Sequence, residues 1–374
     1  MTAAPRSAAP GWLTWTTVAP VVALVLLLLT WGREPGGVVV AVVAVVLAAA
    51  VLSAVHHAEV VAHRVGEPYG SLVLAVAVTV IEVALIVTLM AAGGPGASSL
   101  ARDTVFAAVM ITCNGILGLS LLLGARRFGT TVFNAEGTGA ALATVATLAA
   151  LSLVLPTFTT ARPGPEFSPA QLAFAATASL ALYAMFVVTQ TVRHRDFFLP
   201  VVREGDGRAG REHEEHEHAA PPSTRAATAS LGLLLLALVA VVGLAKVESP
   251  AIEAGVAGLG LPQSFVGVVI ALLVLLPETI AAANAARRGR TQISLNLALG
   301  SAMASIGLTI PVIAVASIWL EGPLLLGLGP TQLVLLALTV LVGVLTVVPG
   351  RATRLQGGVH LVLLAAFLFL AATP

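Results

Sequence analysis

Charged side chains are rare in this sequence. Only 10% of its 374 residues are Asp, Glu, Lys or Arg, whereas a soluble domain usually carries about 25%. A chain with so little charge cannot cover a water-facing surface, so most of its outside must face lipid. The first expected partner is therefore a lipid bilayer.

Cysteine and lysine are almost absent, and each absence excludes a class of site. The single cysteine, Cys113, lies inside an apolar run, which excludes disulfides and thiolate metal sites. The single lysine, Lys246, follows an alanine, so the Gly-Lys pair of a nucleotide-binding phosphate loop is missing. The motifs of zinc proteases and of serine hydrolases are missing too. We therefore expect no enzyme activity, no cofactor, and no nucleotide or nucleic-acid partner.

Long apolar runs are abundant and predict membrane helices. A helix needs roughly 20 apolar residues to cross the hydrocarbon core, and only helices or closed barrels satisfy their backbone groups in lipid. The alternating pattern of a barrel is missing, so the predicted fold class is an all-α polytopic membrane protein. Eleven spans are predicted near residues 12–32, 37–60, 69–92, 103–124, 137–157, 168–192, 227–246, 262–286, 291–318, 330–348 and 354–372.

Basic residues are concentrated on one side of these spans. With eleven spans, fifteen of the 19 basic residues fall on the side of the N-terminus, and only Arg33, Arg102, Arg162 and Lys246 fall on the other. The positive-inside rule then predicts a cytoplasmic N-terminus and a C-terminus outside. The expected location is the bacterial inner membrane.

A polar linker divides the chain. Residues 193–226 contain an acidic, histidine-rich run; five spans follow it, and five precede it once the first span is set aside. Many transporters are built from such inverted repeats. The predicted organisation is an N-terminal transmembrane helix (1–36), a first five-helix repeat (37–192), a cytoplasmic loop (193–226) and a second five-helix repeat (227–374).

Two of the eighteen carboxylates stand deep in apolar helices. Glu82 and Glu278 each lie in the second helix of a half, whereas the other acids fall at helix starts, interfaces or loops, with Glu248 and Glu253 assigned to an external loop. A charge in mid-membrane costs at least about 2.5–3.5 kcal/mol, so such a residue is a functional hypothesis by default. Equivalent acids on antiparallel helices would meet at the midplane of an inverted repeat.

These acids have the chemistry of a transported cation site. Two glutamates match a divalent charge, and calcium takes six to eight oxygen ligands in flexible geometry. Pro277, directly before Glu278, is expected to break its helix and free carbonyl oxygens for coordination. Polar side chains on the next helix of each half could add ligands, although Ser, Thr and Asn often only join helices.

Particular stretches of the sequence carry a family resemblance. They are residues 57–72 with 81–83 in the first half, and residues 276–278, 296–301 and 308–311 in the second. In these stretches the chain resembles the calcium/cation antiporter superfamily, and specifically the bacterial calcium (sodium, potassium)/proton antiporters. The resemblance implies two inverted five-helix units with a cation-binding glutamate on the second helix of each.

By residue, the resemblance implies Glu82 and Glu278 as cation ligands and proton carriers, with Asn114, Asn296 and Ser301 as weaker cation ligands. The predicted function is a secondary active antiporter that extrudes Ca²⁺ or another small cation in exchange for H⁺ by alternating access. A Na⁺/H⁺ or K⁺/H⁺ antiporter using the same site stays open as the alternative. A homo-oligomer is also an open expectation, because the sequence fixes no copy number.

Overall fold

The computed structural model describes residues 14–33, 36–66, 69–94, 96–126, 129–201, 222–320 and 322–374. Within these residues the chain forms eleven long helices. They are α1 Trp15–Thr30, α2 Gly37–Val65, α3 Tyr69–Ala92, α4 Ala97–Gly124, α5 Ala135–Phe158, α6 Pro169–Arg193, α7 Thr224–Gly258, α8 Phe265–Arg287, α9 Thr291–Ala316, α10 Pro330–Val347 and α11 Arg354–Ala372.

The predicted all-helical membrane architecture is confirmed. Each of the eleven predicted spans coincides with a helix, and ten of the described helices are long and apolar enough to cross a membrane. The first, α1, has 16 residues in the described part of the chain. Residues 202–221, which make up most of the predicted linker, lie outside the described residues.

The prediction that Glu248 and Glu253 lie in an external loop is wrong. Both lie inside α7, which runs for 35 residues through Pro250. The predicted break at Pro277 is wrong as well, because α8 continues through that residue without interruption. A proline inside a membrane helix is tolerated when neighbouring groups satisfy the carbonyl that it frees. Proline was therefore a poor marker of helix ends in this chain.

Four helices form the centre of the fold. The middle of α4 is buried on all sides, and α4 packs against α8 and α9, while α3 also packs against α9. Around this centre, α2 packs along α7, and α1 covers both. The Ser53 hydroxyl on α2 donates to the Thr16 carbonyl of α1 over 2.6 Å, and His57 Nε2 lies 2.9 Å from the same oxygen.

A two-stranded ribbon joins the halves on one face. Strand β1, Thr130–Val132, lies between α4 and α5 and pairs antiparallel with β2, Arg351–Thr353, which lies between α10 and α11. The backbone of Glu166 bridges to Leu325 in two loops at the other ends of these helices. The loops therefore group by side as the predicted alternation of spans requires.

Candidate cation site

The two buried glutamates occupy matching places in their helices. Glu82 is the fourteenth residue of α3, and Glu278 is the fourteenth residue of α8. Their exposed fractions are only 4% and 8%. In both halves this helix follows a long helix, α2 or α7, that crosses the outside of the central group. The structure therefore keeps the positional match that the sequence indicated.

A serine of the second half binds the glutamate of the first. Ser305 lies on α9, and its buried hydroxyl donates to Glu82 Oε1 over 2.5 Å. A hydrogen bond to a charged group contributes about 1.5–3 kcal/mol, roughly twice that of a neutral pair. The bond thus couples the two halves at the site and holds one carboxylate in place.

The second carboxylate is buried without such a bond. Glu278 Oε2 has no hydrogen-bond partner among the described residues. Because buried polar atoms are nearly always satisfied, an oxygen left open at this depth is suited to a transported cation or proton.

The predicted ligand Ser301 lies on the face of α9 that carries Ser305. It precedes Ser305 by four residues, and Thr309 follows by four, so the three side chains are stacked along one face. Ser301 is half-buried, and the buried Thr309 hydroxyl has no partner within the part of the chain that the structure describes. Of these three residues, Ser305 is the one that contacts Glu82.

The two predicted asparagine ligands are bonded elsewhere. Asn114 Nδ2 donates to Thr339 Oγ1 of α10 over 2.8 Å, and Asn114 Oδ1 lies 3.1 Å from His360 Nδ1 of α11. The Asn296 amide donates to the carbonyl of Phe198 over 2.6 Å and accepts from a glutamine one turn away. The structure therefore brings neither asparagine to a glutamate by a hydrogen bond.

Sequence reasoning did not single out Ser305 or His360 as candidate ligands. Ser305 is one of several hydroxyl-bearing residues in an otherwise apolar helix, and nothing in the sequence distinguishes it from the others. His360 carried a clearer signal, because it is a histidine in an otherwise apolar span, and in the structure it is 1% exposed. Both contacts join helices that are far apart in the chain.

In the described ranges, no group of three or more His, Cys, Asp or Glu residues is placed to hold a metal ion. The described oxygens that a cation could reach here are instead those of two carboxylates and of the hydroxyls on α9, which is a low ligand count. Such a site suits an ion that is bound and released.

Paired acids buried between the halves of a polytopic helical bundle define a membrane transporter of small cations. The chain belongs to the sodium/calcium exchanger protein family, whose model matches residues 34–192 and 229–373. It is thus a multi-pass membrane transporter of the cation-exchanger type.

Similar proteins agree with this class. A relative from Sinorhizobium fredii, named as an ionic transporter, is 46% identical over 366 residues, which cover 97% of this chain and 92% of the relative. The sodium-potassium/proton antiporter ChaA of Escherichia coli is 35% identical over 355 residues, with 94% of each protein covered. The solved H⁺/Ca²⁺ exchanger CAX has the same fold, with a TM-score of 0.69 at 17% identity over 95% of this chain and 86% of CAX.

Proposed function

We propose that this chain is a secondary active antiporter that extrudes Ca²⁺, or another small cation, in exchange for H⁺ by alternating access. Glu82 and Glu278 bind the cation or the protons. The observation that carries the proposal is the pair of buried carboxylates at matching places in two helices, one of them with an oxygen that has no partner among the described residues. A single buried acid could be structural, but a matched pair has the charge that a divalent cation requires.

The exchange follows from competition for the same oxygens. Two ionised carboxylates buried on helices that pack together repel each other, and either a divalent cation or two protons remove that repulsion. The Ser305 hydroxyl, which now donates to Glu82, can turn its own oxygen to a cation because a hydroxyl both donates and accepts. In this proposal Ser301, one turn from Ser305 on α9, adds a further oxygen. Cation and protons therefore exclude each other, which couples their movement.

A sodium/proton or potassium/proton antiporter is the second candidate. The relative ChaA, which is 35% identical, is named as a sodium-potassium/proton antiporter. A monovalent ion needs fewer carboxylates than calcium, so the two glutamates described above are sufficient for it as well. Under this alternative the same glutamates act, and only the preferred ion differs.

We propose the bacterial inner membrane as the location, with the N-terminus in the cytoplasm and the C-terminus outside. The support is the distribution of the 19 basic residues, fifteen of which fall on the N-terminal side. In this orientation the β1–β2 ribbon faces the cytoplasm, and cation leaves towards the face of the Glu166–Leu325 bridge.

The test is a proton-flux assay in proteoliposomes with an acidic lumen and a trapped pH dye. Calcium, sodium, potassium and magnesium are added outside in turn, and the double variant Glu82→Gln/Glu278→Gln serves as the matched control. We expect calcium to dissipate the gradient in the wild type and not in the double variant. Dissipation by sodium or potassium alone would select the second candidate. If no cation moved protons through folded protein, the antiporter proposal would be rejected.

A further inference from the structure

Asn114 and Ser305 occupy equivalent positions in the two halves. The α-helical part of α4 begins at Leu100, and Asn114 is its fifteenth residue; Ser305 is the fifteenth residue of α9, which begins at Thr291. Ser305 donates to the glutamate of the opposite half. The matching donor for Glu278 would be Asn114, yet Glu278 Oε2 has no partner in the described part of the chain.

A local change in the helix separates Asn114 from that role. Residues Ile111–Ile116 form a π-helical segment, whereas α9 remains α-helical through Ser305. A π turn holds one extra residue, so it rotates the side chains within it relative to an α-helix, and such segments occur often at functional sites. The segment packs against both α8 and α9. Asn114 therefore lies beside the site while its amide points to α10 and α11.

His360 holds the amide in that direction. Its Nδ1 lies 3.1 Å from Asn114 Oδ1, and its Nε2 lies 3.2 Å from Thr346 Oγ1. With Nδ1 donating to the amide oxygen, Nε2 accepts from the Thr346 hydroxyl, so the neutral ring is satisfied on both sides. The backbone of α4 also approaches closely, since a Cβ at Gly118 would lie 2.9 Å from His360 Cβ.

We propose that His360 is a positioning residue that holds Asn114 away from Glu278, and that Asn114 turns to the Glu278 side when the cation binds. The proposal rests on the proposed function of Glu82 and Glu278. In the structure, His360 and Thr339 bind the amide. In the cation-bound state the amide oxygen joins the ligands, and the π segment supplies the rotation. Releasing Asn114 then costs part of the binding free energy, which lowers the affinity of the resting protein.

The test is calorimetric titration of calcium, and separately of sodium, into detergent-solubilised wild type and His360→Phe. The phenyl ring keeps the bulk of the side chain and removes its hold on Asn114. We expect His360→Phe to bind the cation about 3- to 10-fold more tightly, because the cation no longer has to displace the Asn114 amide from His360. Its maximal transport rate should fall, because release becomes slower. Thr339→Val, which removes the other partner of the amide, should act in the same direction.

Two controls make the result specific. Thr346→Val leaves the contact between Asn114 and His360 in place, so the affinity should stay within about twofold of the wild type. In an Asn114→Ala background, His360→Phe should no longer tighten binding. Unchanged or weaker binding in both His360→Phe and Thr339→Val, or tightening that persists in the Asn114→Ala background, would overturn only the proposed switch, in which His360 holds Asn114 away from Glu278. A folded wild type that bound no cation would overturn the proposed function together with the switch.

Discussion

The two glutamate helices match in position but differ in bonding. Glu82 on α3 accepts a hydrogen bond from Ser305, whereas Glu278 on α8 has an oxygen without a partner in the described part of the chain. The difference arises one helix later, where α9 is regular and α4 contains a π segment. A repeated layout therefore gives one carboxylate held in place and one left open. The comparison shows two helices that are alike in the place of their glutamate and unlike in its hydrogen bonding.

The largest expected effect is the loss of either carboxylate singly. We expect Glu82→Gln and Glu278→Gln each to lower cation-dependent proton flux by about 100-fold, the upper range for loss of support at a metal site. Each acid supplies half of the charge that balances a divalent ion. Flux in proteoliposomes measures this, with Glu136→Gln as the control because Glu136 is exposed at the start of α5. If one of the two variants kept wild-type flux, the glutamate substituted in that variant would have no part in the exchange.

A smaller effect is expected from the serine that distinguishes the halves. Ser305→Ala removes the donor to Glu82, and a bond to a charged group contributes about 1.5–3 kcal/mol. We therefore expect the half-saturating cation concentration to rise about tenfold. Ser301→Ala, one turn away on the same face, is the matched control and should change it about two- to threefold. An equal effect of both serines would mean that the Glu82 bond has no special weight.

The packing of α4 and α9 should respond differently to an added methyl group. At Gly118 a Cβ would lie 2.9 Å from His360 Cβ and 3.0 Å from the Gly357 carbonyl, whereas at Gly300 on α9 nothing lies within 4 Å. We expect Gly118→Ala to lower the free energy of unfolding by about 1 kcal/mol through overpacking. Gly300→Ala should raise it by up to about 1 kcal/mol through helix propensity. Thermal midpoints in detergent compare them, and a stable Gly118→Ala would mean that α11 moves away freely.

The smallest effect is expected at the residue that directly precedes each glutamate, which differs between the two helices. Isoleucine precedes Glu82 and Pro277 precedes Glu278. Because α8 is continuous across Pro277, Pro277→Ile should change transport by less than about twofold. A loss of flux comparable to that of Glu278→Gln would show that a carbonyl freed by the proline is a ligand.

The sequence predicted the helices well because lipid imposes a simple rule. Apolar length and the distribution of basic residues are local properties, so spans such as α3 and α8 were found nearly to their ends. The extension of α7 past Glu248 was missed because a buried carboxylate and a proline resemble a loop in composition. The two glutamates were found because acids are costly in lipid.

The hydrogen-bond partner of Glu82 could not be predicted from the sequence. Ser305 and Ser301 have the same composition around them, and only the packing of α3 on α9 decides which one donates to Glu82. The direction of the Asn114 amide depends on a π turn, which has no reliable sequence signature. The predicted roles of Asn114, Asn296 and Ser301 as cation ligands stay predictions.

The ribbon of β1 and β2 limits how the halves can move. It is built from main-chain hydrogen bonds, extended by the Phe133 amide donating to the Gly350 carbonyl over 3.0 Å. Arg354 adds hydrogen bonds to the carbonyls of Ala125 and Arg126. Two halves that are joined along one edge rotate about that edge, and the gap between them widens with distance from it. In the proposed alternating access, this ribbon is a hinge fixed in the backbone, and side-chain substitutions in the site leave it untouched.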